Sequence, residues 1–385
     1  MILRKLTDSD SREYNKVFSQ AYAFGCDIDS NAKLSSRQVI GAFDGDSLMA
    51  EIEITDSENY FGDNVLTCAG IGGVASKPEF RNRGAVRKLF ESFFKGELIG
   101  KKYDISILYP FSEAYYRKFG YEIMSKSLEL TVPFRELAAV PRNSDAVLFD
   151  GSQTEELSKL YNRAAGNFNL AFRRTGNCRF SPNPYKDSRY TYMWKNSDGK
   201  FRSLVSFSVD RPNKIIRVFE IYYLDREALA GILGFLRNYE GNQDTVIFNK
   251  LPLNTPVLNF IGNEKNIIQR GFNMGCARIM DVESVLKKKT YPKEYGRFTV
   301  ECSRDIIAQN NAVFSVEYEN GRAEVRRSSA EPDAVLDITS AARVFLSGVA
   351  GAEAFSYMNG TKLINCSDDF FRAFEVKNTF FCDEF

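Results

Sequence analysis

The sequence predicts an α/β protein built from α+β layers and divided into more than one domain. Its 385 residues suffice for two or three domains of roughly 150 residues each. Predicted strands and amphipathic helices are mixed along the whole chain, in an order typical of mostly antiparallel α/β layers. Hydrophobic residues make up 44% of the chain and charged residues 26%, which is the balance of an ordinary globular protein.

The first segment opens with a short strand at 2–6 and capping residues at 8–11, followed by an amphipathic helix. Tyr14, Val17, Phe18 and Tyr22 would form the apolar face of that helix. The pattern then predicts strands at 37–43, 47–54 and 64–75, a helix at 82–98, a strand at 105–109, a short helix at 112–119 and a strand pair within 121–132.

Two breaks in composition suggest domain boundaries. Pro133 and the polar run at 141–144 mark the first, and the basic run at 287–289 marks the second, so we expect domains at 1–133, 134–286 and 287–385. The middle segment repeats the mixture of the first, with helices at 154–164 and 226–239 and strands at 189–194, 200–208, 215–223 and 245–248. A degenerate duplicate and a chance likeness both fit this order. The last segment predicts strands at 296–303, 312–319 and 321–327 and a helix at 338–346.

The composition excludes several kinds of chemistry. The chain has no histidine, so it has no Ser-His-Asp triad, no Cys-His pair and no HExxH zinc site. Acid-base steps must therefore use carboxylates, Tyr, Lys, Cys or a chain terminus, and we expect no metal. A net charge of +1 gives no general attraction to nucleic acid or to a membrane.

The cysteines and the apolar runs indicate the compartment. The seven cysteines are an odd number without a CxxC pair, which is typical of free thiols. No apolar stretch approaches the roughly 20 residues of a membrane span. We therefore expect a cytoplasmic protein.

The stretch from Gly72 to Val86 is the one whose pattern predicts chemistry. It would run from a strand through a turn into a helix, whose first N–H groups and dipole form an anion site. Gly84 would let these groups approach a ligand, and Arg81, Arg83 and Arg87 would add donors for phosphate oxygens. The paired glycines 72 and 73 would allow a bulge and a splayed edge where an extended ligand could pair. On pattern alone, a phosphate site and a capped surface helix both fit.

The segment Arg81-Asn82-Arg83-Gly84-Ala85-Val86 resembles the R/Q-x-x-G-x-G/A signature of the GNAT N-acetyltransferases. The resemblance implies that backbone amides here hold the pyrophosphate of the cosubstrate acetyl-CoA. Val86 departs from the usual Gly or Ala of that signature. The coenzyme-binding residues it implies are Val74, Ala75, Ser76, Arg81, Asn82, Arg83, Gly84, Ala85, Val86, Arg87, Phe111 and Ser112.

A second segment, residues 112–121, resembles the Y-x-x-F-G-Y block of the enhanced-intracellular-survival (Eis) acetyltransferases. This resemblance implies that Tyr116 is the general acid and that the carboxylate of Phe385, in the terminal pair Glu384-Phe385, is the general base. It also implies two GNAT-like domains, the second carrying the block 218–224, and a C-terminal domain similar to sterol carrier proteins around 337–342. A homo-oligomer, possibly a hexamer, follows from the same family likeness.

These two groups suit a chain without imidazole. A phenol has a pKa of ~10 and a thiol ~8.5, so a tyrosine can protonate a departing thiolate. An α-carboxylate has a pKa of only ~3.3–3.7, but partial desolvation would raise it and a water could relay the proton. The expected function is acetyl-CoA-dependent acetylation of a primary amine, on a small molecule or a lysine side chain, by direct attack in a ternary complex.

Other interpretations of the same residues stay open. Tyr116 could be one more buried aromatic, and Phe385 could be an apolar plug for the last domain. Cys26 is expected to be a structural thiol rather than an acyl-carrying nucleophile, since no base or cation stands beside it in the sequence. Asp27, Asp29 and Glu384 either line an acidic approach for an amine or are solvated loop carboxylates. The alternative function is a lipid- or ligand-carrying protein that uses the C-terminal domain, with the GNAT halves as scaffold.

Overall fold

The fold is described from a computed structural model that covers residues 1–23, 25–175, 180, 182–381 and 383. Within these residues the chain forms two compact units. The first comprises Met1–Met124 and Gly275–Lys377, and the second comprises Ser125–Met274 and Asn378–Asp383. The expected α/β class is confirmed, because each unit packs helices against largely antiparallel sheets.

The N-terminal part of the first unit contains six strands and three helices in its described residues. They are β1 (Ile2–Lys5), α1 (Ser11–Tyr22), β2 (Gln38–Asp44), β3 (Ser47–Phe61), β4 (Asn64–Ser76), α2 (Ala85–Lys95), β5 (Ile105–Leu108), α3 (Glu113–Arg117) and β6 (Glu122–Ile123). β1 to β4 pair antiparallel in sequence, whereas β4 and β5 pair in parallel. The parallel pair requires a crossover connection, and α2 supplies it.

The helix α2 shows why the sequence forms these elements. Leu89, Phe90, Phe93 and Phe94 recur at three- and four-residue intervals and are buried against the sheet. The helix is shorter than the predicted 82–98. It starts only after Gly84, whose φ of 77° is left-handed, and it ends at the left-handed Gly96.

The second unit holds the other large sheet and three helices of the described chain. Its elements are β7 (Lys126–Pro133), β8 (Ala146–Leu148), α4 (Thr154–Ala165), α5 (Pro184–Asp187), β9 (Tyr190–Lys195), β10 (Phe201–Asp210), β11 (Ile215–Tyr223), α6 (Arg226–Leu236), β12 (Thr245–Pro252) and β13 (Ile268–Asn273). The strand order is β13-β7-β12-β11-β10-β9-β8, and the only parallel neighbours among these described strands are β11 and β12.

The remaining elements return to the first unit. They are β14 (Cys276–Ile279), α7 (Val282–Lys288), β15 (Gly296–Ser303), β16 (Ala312–Glu319), β17 (Arg322–Ser328), β18 (Ala334–Asp337), α8 (Ile338–Ser347), α9 (Gly351–Ser356), β19 (Thr361–Leu363) and α10 (Asp368–Ala373). β15 to β19 form a separate sheet in the order β17-β16-β15-β18-β19. β14 instead lies between β5 and β6 in the first sheet.

The chain leaves the first unit after Met124 and returns to it after Met274, whereas the sequence predicted domain boundaries after residues 133 and 286. β7, assigned from the sequence to the first domain, pairs in the second sheet, and β14, assigned to the middle segment, pairs in the first. The physical reason is that strand partners are chosen by long-range backbone pairing, which a local composition break does not reveal. Arg278 of β14 is fully buried and donates to the Phe119 carbonyl and the Asp305 carboxylate, which joins the two sheets of the first unit.

Candidate active site

The C-terminal half of β4 borders a cavity of about 920 Å³ in the first unit. The end of α1, the turn into α2 and the segment after β5 form the other walls. Of the residues expected at the site, the lining contains Val74, Ala75, Ser76, Arg81, Asn82, Gly84, Ala85, Val86, Arg87, Phe111 and Tyr116. The fold therefore brings together two segments that are about 30 residues apart in the sequence.

The cavity exists because β4 and β5 stop pairing before β4 ends. Their hydrogen-bonded register runs only to Ile71 opposite Leu108. The next residues of β4 form a bulge against β3, and Gly73 within it has a φ of 54°. The bulge expected from the paired glycines is thus present. It leaves Gly72, Ala75 and Ser76 paired with β3 on one side, while all of 72–76 lines the cavity, so an extended ligand can approach the other side.

The turn before α2 presents backbone amides to the cavity. Gly84 occupies the N-cap position, and no side chain of the described chain caps this end of the helix. A Cβ at Gly84 would meet nothing within 4 Å, but the left-handed φ favours glycine there. The open amides of 85–87, the helix dipole and the exposed Arg81 and Arg87 make a site for a phosphate-bearing ligand.

Arg83 and Ser112, two of the expected coenzyme-binding residues, are not among the residues that line the cavity. Val86 lines it but departs from the family signature. The Arg83 guanidinium lies 5.1 Å from the centre of the Phe80 ring. The Ser112 hydroxyl accepts a hydrogen bond from the Tyr115 amide at 3.4 Å and caps α3. Val86 packs partly against the core of the first sheet and also lines the cavity.

Tyr116 is buried beside the cavity in a cluster of aromatic rings. Only 3% of the residue is exposed, and its ring centre lies 5.4 Å from Phe111 and 5.2 Å from Tyr115. Within the described chain its hydroxyl makes no hydrogen bond. By contrast, the hydroxyls of the buried Tyr103, Tyr121 and Tyr291 are each bonded to an oxygen 2.6–2.9 Å away. Because Tyr116 lines the cavity and its hydroxyl has no bond within the described chain, this hydroxyl is available to a ligand.

The surroundings keep the Tyr116 phenol protonated. Burial raises its pKa above the ordinary value, and the neighbouring Tyr121 and Tyr115 act in the same direction. A thiol in the same surroundings is affected in the same way, because burial raises the pKa of the nearby Cys276 to about 12. A phenol and a thiolate held in such a site would therefore stay comparable as proton donor and acceptor.

A buried ion pair holds the strand end that leads into the turn. Lys77, directly after β4, is 6% exposed and donates to Glu13 of α1 at 2.6 Å and to Ser47 at 3.0 Å. Glu13 also accepts from Lys16 at 2.7 Å. Burial alone would raise the pKa of Glu13, but the hydrogen bonds from Lys16, Lys77 and the Leu48 amide lower it to about 2.

The expected base, which is the carboxylate of Phe385, and the acidic candidate Glu384 both belong to the C-terminal end of the chain. Glu384 and Phe385 lie outside the described residues. The chain just before them is held in the second unit, where Asp383 pairs with Arg174 and the Phe381 amide donates to the Ser125 hydroxyl at 3.2 Å. Arg174 is only 8% exposed at its side chain and also pairs with Glu220 at 2.7 Å. Sequence reasoning missed this clamp, since Arg174 and Asp383 are 209 residues apart.

The remaining sequence candidates lie on the loop after α1. Cys26 is exposed, and its sulfur lies 3.6 Å from the Asn15 carbonyl oxygen. The Asp27 carboxylate accepts from the Asp29 amide at 3.0 Å, and Asp29 pairs with Arg12 at 3.0 Å. These contacts are those of solvated loop residues.

No group of three or more Cys, Asp and Glu side chains that could hold a metal ion was found in the described chain. None of its helices is long and apolar enough to cross a membrane.

The sequence of the N-terminal part of the first unit is similar to a known enzyme domain. Residues 3–124 match the family model of the acetyltransferase (GNAT) domain. The first unit thus carries a GNAT acetyltransferase domain, and the protein is an enzyme of the acyltransferase class.

Several solved structures share the fold over the entire chain. A probable N-acyltransferase from Enterococcus faecalis has a TM-score of 0.84 at 20% identity and covers 100% of this chain and 99% of its own. A GCN5-related N-acetyltransferase from Anabaena variabilis has 0.84 at 18%, and Eis1 from Mycobacterium abscessus has 0.80 at 19%, each covering 100% of both chains. At these identities the likeness shows the fold. Among curated proteins, no sequence matches this chain.

The Glu13 ion pair makes stability depend on pH in a defined window. The pKa of Glu13 is about 2 in the folded protein against an ordinary 4.5, so its contribution is present above about pH 4.5 and is lost as the pH falls toward 2. We expect Glu13→Gln to lower the free energy of unfolding by about 1 kcal/mol at pH 7 and by roughly half of that or less at pH 3, because the carboxylate is lost fully only below its folded pKa. Urea unfolding at both pH values measures this, with the exposed Glu317→Gln as control. An equal loss at both pH values would contradict the assignment.

Proposed function

We propose that the protein transfers an acetyl group from acetyl-CoA to a primary amine, by direct attack within a ternary complex. The observation that supports this most strongly is the cavity at the end of β4, with open helix amides at one side and the unmatched Tyr116 hydroxyl at the other. A pyrophosphate fits the amides after Gly84, and a pantetheine arm fits the unpaired edge of residues 72–76. The bound coenzyme would supply the reactive thioester.

Tyr116 and the terminal carboxylate of Phe385 then each take part in the proton transfers that accompany acetyl transfer. A base removes one proton from the acceptor ammonium, and the free amine forms a C–N bond at the acetyl carbon while the C–S bond breaks. Tyr116 donates a hydrogen bond or a proton to the departing sulfur and regains a proton from the product nitrogen. The products are an amide, the coenzyme thiol and one released proton. We assign the base to the terminal carboxylate of Phe385, on the resemblance of Glu384-Phe385 to the Eis acetyltransferases.

The wider resemblance supplies further proposals. We propose that the second unit is a degenerate GNAT-like domain, that β15 to β19 with α8 to α10 form a domain similar to sterol carrier proteins, and that the enzyme is a cytoplasmic homo-oligomer, possibly a hexamer. The lipid-carrier alternative gains no support from α8, because Ile338, Ala341, Phe345 and the other apolar side chains of this helix are already buried in packing.

The proposed reaction predicts release of coenzyme thiol that depends on an amine. We expect turnover when acetyl-CoA is mixed with at least one member of a panel of polyamines, aminoglycosides and lysine peptides, measured with a thiol reagent. Mass spectrometry should show one added acetyl group on the acceptor. Folded protein that turns over none of these amines would refute the proposal.

The role of Tyr116 predicts a selective loss of rate. Tyr116→Phe keeps the ring and its packing but removes the hydroxyl, so kcat should fall about 100-fold, while KM for acetyl-CoA changes little. The matched control is Tyr115→Phe, on the adjacent ring. If both variants lose the same small amount of activity, Tyr116 is a packing residue.

The role of the terminus predicts sensitivity to added residues. Appending Gly-Ser after Phe385 moves the α-carboxylate without removing any side chain, so kcat should fall about 100-fold with KM for acetyl-CoA preserved. The control carries the same two residues in the exposed loop at Asp198. Unchanged turnover of the extended enzyme would remove Phe385 from the mechanism.

A further inference from the structure

Three cationic side chains line the cavity of the first unit, and no carboxylate is among its described lining residues. They are Arg81 in the turn before α2, Arg87 in the first turn of α2, and Lys118 directly after α3. All three are exposed, and none forms a hydrogen bond or an ion pair within the described chain. Like charges without counter-charges repel one another, so an anion that joins them is bound favourably.

The residue before Lys118 is a cation of a different kind. Arg117 does not line this cavity, and its guanidinium pairs with Glu122 at 2.7 Å and with Glu113 at 3.8 Å. The end of α3 therefore carries two successive cations. The one away from the large cavity is neutralised by carboxylates, and the one that lines the cavity is not.

Arg87 and Lys118 approach the same part of the cavity, which is the wall around Tyr115. Burial raises the pKa of the Tyr115 phenol, and the positive charge of Arg87 opposes that rise, so the guanidinium lies near this phenol. Lys118 follows Tyr115 by three residues and keeps helical backbone angles, so the two side chains share one face of α3. Tyr115 lines the cavity as the two cations do. A second cationic position therefore lies beside α3, apart from the amides after Gly84.

The proposed cosubstrate carries phosphate groups of two kinds. Its pyrophosphate is assigned above to the amides after Gly84, with Arg81 in the same turn. The ribose of coenzyme A carries in addition a 3′-phosphate, a monoester with a charge of about −1.5 to −2 at pH 7 and three acceptor oxygens. Lysine binds such a group as a compact point charge, and arginine binds it through a planar set of donors.

We propose that Lys118 and Arg87 bind the 3′-phosphate of the coenzyme, so that the enzyme distinguishes acetyl-CoA from acetyl-3′-dephospho-CoA. This inference rests on the proposed function, since it assumes acetyl-CoA as the cosubstrate. Because the amides after Gly84 and Arg81 serve the pyrophosphate, Arg87 and Lys118 are the cations of the described lining that are left for this group. Lys118 lies outside the segment 81–86 that resembles the family signature, so it is an additional binding residue.

Calorimetry with two ligands tests the inference. The wild type should bind coenzyme A about tenfold or more tightly than 3′-dephospho-coenzyme A, because a charge-assisted hydrogen bond is lost with the phosphate. Lys118→Met should raise the Kd of coenzyme A about tenfold and leave the Kd of the dephospho form within about twofold. Lys118→Arg keeps the positive charge and should keep most of the preference. Equal weakening of both ligands by Lys118→Met, or weakening of neither, would overturn the inference.

Two further variants separate a phosphate contact from a general effect of positive charge. Lys88 is exposed on α2 next to Arg87 and does not line the cavity, so Lys88→Met should leave both Kd values within about twofold of the wild type. The double variant with Arg87→Met and Lys118→Met should bind the two ligands with Kd values within about threefold of each other. A preference that survives in the double variant, or that Lys88→Met reduces as strongly as Lys118→Met does, would contradict the assignment.

The two proposals fail in distinguishable ways. If the wild type acetylates no amine but binds coenzyme A with a preference that Lys118→Met reduces, the proposed reaction is wrong and the binding inference holds. If the wild type acetylates amines and Lys118→Met matches it in KM for acetyl-CoA and for acetyl-3′-dephospho-CoA, the reaction holds and the inference is wrong.

Discussion

The early end of pairing between β4 and β5 is the constraint on which the site depends. Pairing stops at Ile71 and Leu108, since the bulge around Gly73 adds a residue to β4 and turns its end away. One wall of the cavity is therefore backbone whose hydrogen-bonding groups have a strand on one side only. The same crossover delivers Gly84 and the start of α2 to the opposite wall. A strand defect and a helix end thus create a binding groove from elements that are otherwise fully packed.

Groups that are open to a ligand line this groove on two sides. Most buried polar groups of a native protein are matched, and Tyr103 and Tyr121 follow that rule. The Tyr116 hydroxyl and the amides after Gly84 instead have no partner in the described chain and lie at the cavity. Proteins tend to depart from local rules at functional sites, because a group already satisfied inside the protein has less to offer a ligand. The two groups line one cavity and differ in chemistry, since one is a neutral donor and the other a receptor for an anion.

Local signals in the sequence predicted the local features of the fold. The apolar period of α2 and the bulge at Gly73 each depend on residues close together in the chain, so they could be predicted, whereas the ends of α2 at Gly84 and Gly96 were missed. The partner strands of β7 and β14 could not be predicted, because each partner lies more than a hundred residues away in the sequence. The burial of Glu51 was missed for a related reason. It alternates with Ala50 and Ile52, a pattern that assigns a glutamate to the solvent face, whereas α1 covers that face of the sheet.

The other buried carboxylates of the first and second units are treated differently from Glu51 of β3, which is wholly enclosed and has no partner within the described chain. Asp305 is paired with Arg278, and Asp383 is paired with Arg174, each by a guanidinium that is itself nearly or wholly enclosed. Breaking such a pair is costly, because the remaining charge stays buried. A resident cation beside Glu51 would have removed the cost of burying it in the same way. Without such a cation, the Glu51 carboxyl meets the cost of burial by taking up a proton, which the rise of its pKa on burial favours.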